Sequence, residues 1–362
     1  MGKIRFLLAI SVVIAHSSAI FGINLVGGQI AVQAFYIISG FYMSLVLNEK
    51  YINGNNSYKL FLSNRLLRLY PIYWVTALIV LLNLVRINMK SDVPLGALGQ
   101  FIKYHDHMSI GSIAYLAFTN VVLVGQDIAM FMGLDIHSGN MFFTKNYLLT
   151  DPKVYTFLLI PQAWTIGVEI DFYIIAPFIV RKNIKWVLLL MSASLLLRII
   201  LINYGYQKDP WSYRFFPTEL FFFLLGNICY RGYKKIEHID IRTYYSWLII
   251  FFLVTVTILY DKVELPFKAI WYFAFFALTI PFVFKYTKYS KWDYIIGELS
   301  YPIYICHMLA FAFIPSTMLQ YAGSGLAVAI FAIAFSILLN RFVAKPIEKI
   351  RQKRVLQQAV SI

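Results

Sequence analysis

Arg5 and His16 stand eleven residues apart in the first apolar segment, and their types and spacing point to chemistry. At about 100° per residue, eleven steps make three turns plus roughly 20°, so in a helix both side chains share one face, about 16 Å apart along the axis. A titratable ring deep in a bilayer-crossing segment, below a cation at its mouth, marks a functional site. An imidazole there suits acid–base work, because its ordinary pKa lies near working pH.

Other polar side chains interrupt apolar runs. Arg65 and Arg68 are three residues apart, hence on one helical face, just before the third apolar run. With Arg5 they form a cluster able to clamp an anion, since guanidinium binds phosphate bidentately. Glu169 enters about 10 Å from the outer end of its span, at a depth like that of His16, which is one candidate partner. Tyr173 lies four residues on, facing the same way. Ser300, Tyr304 and His307 make a further stripe. Arg198 and Glu219, each about 7 Å from the outer end of consecutive spans, read as a structural ion pair or a wall of a substrate cavity.

These residues are positioned by a chain that composition assigns to the membrane. It has 362 residues, 60% hydrophobic and 14% charged, against about 25% charged for soluble domains. The apolar residues form runs near the ~20 needed to cross a bilayer, without the alternation of a barrel. The expected fold is therefore all-α and polytopic: a single transmembrane domain over 1–345 and a basic cytoplasmic tail over 346–362. Net charge is +15, which reads as cytoplasmic-loop charge and not as nucleic-acid binding. Cys229 and Cys306 sit in apolar runs and read as small buried hydrophobes. No metal-binding spacing appears among cysteines and histidines. The first 22 residues resemble a signal peptide, but the next span follows too closely, so retention is expected.

Expected spans lie near 4–22, 29–47, 70–89, 162–180, 186–203, 215–230, 244–260, 268–284, 300–320 and 323–340. Lys and Arg sort the connections. The loops 48–69, 181–185, 231–243 (with Arg231, Lys234, Lys235 and Arg242) and 285–291, and the tail from 341, are basic; 90–155 carries four lysines against five aspartates. Both termini are then cytoplasmic. The glycine-punctuated stretch 108–133 must cross an even number of times, as a re-entrant or interfacial segment does. Tyr58, Tyr70, Tyr73 and Trp74 read as an interfacial aromatic belt.

The ordered motifs resemble the acyltransferase-3 family of integral-membrane O-acyltransferases. Arg5-x10-His16 matches its first signature. Phe35-Tyr36-Ile37-Ile38-Ser39-Gly40-Phe41 matches its second-helix motif, and Arg65-x-x-Arg68 precedes Leu69-Tyr70-Pro71-Ile72-Tyr73-Trp74 as in the family. Trp164-Thr165-Ile166-Gly167-Val168-Glu169-Ile170-Asp171-Phe172-Tyr173 matches the next motif, with Thr165 in place of the usual serine. Ser300-Tyr301-Pro302-Ile303-Tyr304-Ile305-Cys306-His307 completes the set. The family's ten spans agree with the charge argument. The extracytoplasmic hydrolase-like domain fused to some members is not expected after the last span.

The resemblance implies transfer of an acyl group, usually acetyl, from cytoplasmic acyl-CoA, a co-substrate and not a bound cofactor, to a hydroxyl of a surface glycan, a lipid-linked glycan or a similar envelope molecule. It implies a multi-pass protein of the bacterial cytoplasmic membrane. His16 and Glu169 would be catalytic, with His16 as general base or acyl relay. Arg5, Arg65 and Arg68 would hold the donor's phosphates, and Trp164, Tyr173, Ser300, Tyr304 and His307 would contact substrate. The alternative is a transporter or flippase of a glycan precursor or acyl donor. Ionisable residues at mid-membrane suit both, but the chain shows no clear internal repeat of the kind transporters often carry.

Overall fold

The computed structural model describes residues 1–51, 57–240, 243–321 and 323–360. It is helical almost throughout. Among the described residues, seven helical stretches are long and apolar enough to cross a membrane: Gly27–Glu49, Ser57–Asn88, Ile184–Asn203, Tyr244–Lys262, Lys268–Thr287, Lys291–Phe313 and Ser324–Gln357. We label the helices α1 (Gly2–Ala15), α2 (Gly27–Glu49), α3 (Ser57–Asn88), α4 (Gly96–Tyr104), α5 (Ile110–Val122), α6 (Trp164–Ile179), α7 (Ile184–Asn203), α8 (Phe216–Ile236), α9 (Thr243–Leu259), α10 (Lys268–Thr287), α11 (Lys291–Glu298), α12 (Ser300–Cys306), α13 (Ala310–Phe313), α14 (Ser316–Tyr321), α15 (Ser324–Leu339) and α16 (Lys345–Val360). The only sheet among the described residues is a hairpin, Met132–Leu134 with Met141–Phe143, in the outer segment.

α2 and α8 form the centre and bury polar as well as apolar faces, whereas α7 and α9 are peripheral. The outer helices leave Trp186, Leu189, Leu196, Trp247 and Phe251 exposed, as expected of surfaces whose solvent is lipid. Arg198 of α7 and Glu219 of α8 are paired as expected. Gln33 also donates to Glu219 at 3.2 Å, and Arg198 donates to the carbonyl of Ser212 at 2.9 Å. Glu219 is fully buried. Arg198→Met therefore strands a buried carboxylate, and the expected cost is about 3 kcal/mol, the low end for breaking such a pair because Gln33 remains. A thermal melt in detergent reads it as a lowered midpoint; an unchanged midpoint would contradict it.

The basic residues assigned to inner loops do more than mark a side. Arg181 donates to the carbonyls of Leu47 and Tyr51 at the end of α2. Arg231 donates to Val180 and Lys182 beyond α6, and Lys285 to Ile236 at the end of α8. Each cation meets unpaired carbonyls at a helix C-terminus, where the dipole also favours it. Arg242 lies outside the described residues.

Four expectations shift. The first helix ends at Ala15, not near residue 22. His16 and Ser17 turn their side chains back onto the carbonyls of Val12 and Val13, at 3.1 and 2.7 Å, and terminate it. The third helix starts at Ser57 rather than near 70, so Arg65 and Arg68 lie within α3 and not in a preceding loop. The span expected over 300–320 begins at Lys291 and ends at Phe313, because Ile314 is extended before Pro315. Finally, Tyr70 and Tyr73, read as part of an interfacial belt, are buried in the protein, whereas Trp74 is half exposed. They donate to the carbonyls of Val122, Asn120 and Val121 at the end of α5, satisfying three of the carbonyls that a helix end leaves unpaired. They sit about 20–26 Å along an α3 helix about 48 Å long. The C-terminal end of α5, a helix of 13 residues, is thus held against the middle of α3. In the basic tail expected over 346–362, Arg351 and Arg354 bond to Asn64 of α3.

Candidate functional site

A cavity of about 400 Å³ opens among α1, α2, α3, α6 and α12. Six basic side chains line it, Arg5, Lys50, Arg65, Arg68, Lys288 and Arg351, against four acidic ones, Glu169, Asp293, Glu298 and Glu348. The three arginines singled out by spacing do converge here. Glu298 lies between two of them, 3.0 Å from Arg68 and 3.9 Å from Arg5. Sequence reading missed Glu298, which sits two residues before the Ser300 motif with nothing local to mark it. Arg65 is 7% exposed, and its Nε has no hydrogen-bond partner among the described residues. A buried guanidinium N–H left unpaired is costly.

Deeper in the cavity, Glu169 accepts from Ser39 Oγ at 2.7 Å and from Tyr173 OH at 2.5 Å. Its partners are thus on α2 and its own helix; it does not pair with His16. Ser39 and Tyr173 belong to two of the motifs, and Glu169 explains why each needs a hydroxyl. The inner end is closed by Tyr304, Thr165 and Phe35. Tyr304 donates to the carbonyl of Gln162 at 2.9 Å and accepts from Thr165 Oγ1 at 2.8 Å, while Phe35 packs edge-on against its ring. Thr165 retains the hydroxyl of the usual serine in the role the structure gives it.

Behind that wall stand the two histidines. His307 is fully buried, with its ring centroid 6.3 Å from that of Tyr304. His307 Nδ1 is 2.8 Å from the Tyr304 carbonyl, and Nε2 is 3.1 Å from His16 Nδ1. His16 caps α1 and is exposed. Neither histidine lines the cavity. Arg5 at the start of α1 lines the cavity, and His16, the residue that caps its end, stands one layer of side chains beyond the closed end. The Ser300, Tyr304 and His307 stripe connects the two.

Beside Trp164 lies a cluster that sequence reading passed over. Arg214 is held by two bonds to Asp209, at 2.5 and 2.8 Å. Its guanidinium lies 4.3 Å from the Trp164 ring centroid and 4.8 Å from that of Tyr213. Tyr147 donates to Asp209 at 2.9 Å. Arg214 is within electrostatic reach of His16. The run Asp209-x-Trp211-x-Tyr213-Arg214 is dense in such residues, but in the loop between α7 and α8 it carries no periodic signal.

Residues 4–341 match the acyltransferase domain profile, and the chain belongs to the acyltransferase-3 family, a family of membrane acyltransferases. No curated protein and no solved structure is significantly similar to the chain.

Proposed function

We propose that the chain transfers an acyl group, acetyl in the first instance, from cytoplasmic acyl-CoA to a hydroxyl of a surface or lipid-linked glycan. The observation that carries this reading is the arginine-lined cavity whose closed end lies one tyrosine from the His16–His307 pair. Arg65, with Arg5 and Arg68, takes the donor's phosphates. The pantetheine arm runs past Glu169, Tyr173 and Ser300 toward Tyr304, and the roughly 16 Å between Arg5 and His16 suits its reach. Trp164 and the Arg214 cluster form the acceptor's side. His16 takes the acceptor's hydroxyl proton, the oxygen attacks the thioester carbonyl, the carbon–sulfur bond breaks, and the proton passes to the departing thiolate. Because the Tyr304–Phe35 wall separates the two sides, a side-chain movement there precedes transfer. In this reading ten segments cross the bacterial cytoplasmic membrane, with α1, α6 and α8 added to the seven longer stretches, and both termini face the cytoplasm.

The test is calorimetric titration of the purified full chain with CoA. Wild-type protein should bind, and Arg65→Lys should weaken binding about tenfold, because an ammonium cannot reproduce a bidentate guanidinium contact. Failure of the wild-type protein to bind CoA would remove the proposed donor.

A further inference from the structure

The two histidines carry a proton assignment that follows from their partners. A backbone carbonyl only accepts a hydrogen bond. His307 Nδ1 lies 2.8 Å from the Tyr304 carbonyl, so that nitrogen bears the hydrogen. In the neutral ring, His307 Nε2 is then a bare lone pair, and it points at His16 Nδ1, 3.1 Å away. His16 Nδ1 is also 3.1 Å from the carbonyl of Val12. Two acceptors converge on that atom, so it too bears a hydrogen. What remains on His16 is Nε2, which has no hydrogen-bond partner among the described residues, on a ring that is exposed.

We infer that His307 is a positioning residue: it holds His16 in the Nδ1–H tautomer, so that Nε2 is the atom that takes the acceptor's proton. This rests on the acyl-transfer reading above and assigns His307 to His16 rather than to substrate. The rings lie with centroids 5.1 Å apart and planes within 26° of each other, so His307 sets the tilt of His16 as well as its tautomer. Proton flow then balances on one nitrogen. The acceptor's O–H proton moves to Nε2, the oxygen forms its bond to the acyl carbon, and the proton on Nε2 goes to the sulfur released when the C–S bond breaks. The hydrogen on Nδ1 stays in place throughout.

A neutral imidazole suits this role in the low-dielectric interior. A carboxylate behind His16 would have to be desolvated at large cost, whereas a buried His307 asks for no charge until His16 acquires one. At that moment the Nδ1–H···Nε2 bond becomes charge-assisted and stronger. The contribution of His307 is therefore larger in the transition state than in the ground state, and its loss falls on kcat and not on KM.

The experiment is nitrogen-15 NMR of the full chain labelled at histidine, reconstituted in lipid without any acyl donor. The chain has six histidines, and His16→Gln identifies the signals of residue 16. In the wild type, His16 should show a protonated Nδ1 and an unprotonated Nε2. His307→Gln, whose carboxamide oxygen can accept in the same place, should keep that pattern and most of kcat. His307→Phe leaves the Val12 carbonyl as the one remaining acceptor at Nδ1, so it should free the ring's tilt, raise the share of the Nε2–H tautomer and lower kcat about 10- to 100-fold, the usual scale for an orienting partner, with the KM for acetyl-CoA unchanged. A wild-type His16 protonated at Nε2 overturns the assignment, as does a folded His307→Phe protein with unaltered tautomer and kcat. Because the tautomer is read without turnover, the expected pattern in a protein that transfers nothing supports the positioning and counts against acyl transfer alone.

Discussion

His16→Ala should lower the single-turnover rate of acetyl transfer from acetyl-CoA by about 10²- to 10⁴-fold, the range that a positioned general base supplies. Donor binding should hardly change, because His16 does not line the cavity and Arg5, Arg65 and Arg68 remain in place. The split is informative. An arginine substitution acts on binding of a phosphorylated donor, whereas loss of the imidazole removes a proton acceptor used only as the hydroxyl attacks. If His16 instead carries the acyl group as a relay, the same substitution also abolishes labelling of the protein by radioactive acetyl. Normal transfer by a folded His16→Ala protein would mean that the proton goes elsewhere, and the Arg214 cluster on the same side would then be the place to look.

The second large effect lies in the packing that supports the site. A Cβ added at Gly40 would come 1.9 Å from the carbonyl oxygen of Phe223. One added at Gly226 would come 2.1 Å from that of Ile37. Both obstacles are backbone, so no side chain can step aside and α2 must part from α8. Small residues at such crossings are what let transmembrane helices approach closely. Gly40→Val should therefore destabilise by more than about 4 kcal/mol, among the largest effects a single substitution has. It would show as loss of the monodisperse, folded species in detergent. The neighbouring Ser39 bonds to Glu169, so a milder Gly40→Ala protein that still folds should also lose activity as that bond opens. A Gly40→Val protein with an unchanged melting midpoint would show that the helices are not held this tightly.

Much of the architecture was legible because the bilayer imposes length and charge rules on the chain itself. Apolar runs and their lengths led to an all-α membrane protein, and the helices are there; loop charge added the expectation that 108–133 is a re-entrant or interfacial segment. Helical periodicity added the expectation that Arg5 and His16 share one face. Where elements begin and end was less legible. α3 extends back to Ser57 because its first turns pack against α16, a contact some 290 residues away that no local window contains.

The amino-acid order by itself determined the class of molecule, the family and which side chains had to be polar in an apolar setting, because each of these depends on composition or on spacing along one helix. Only the tertiary structure decided who pairs with whom. It gave Glu169 to Ser39 of α2, set Glu298 between two arginines, and placed His307 behind His16. Such partners meet across helices, at distances set by packing and not by sequence separation, and hydrogen bonds formed there satisfy groups that lipid cannot.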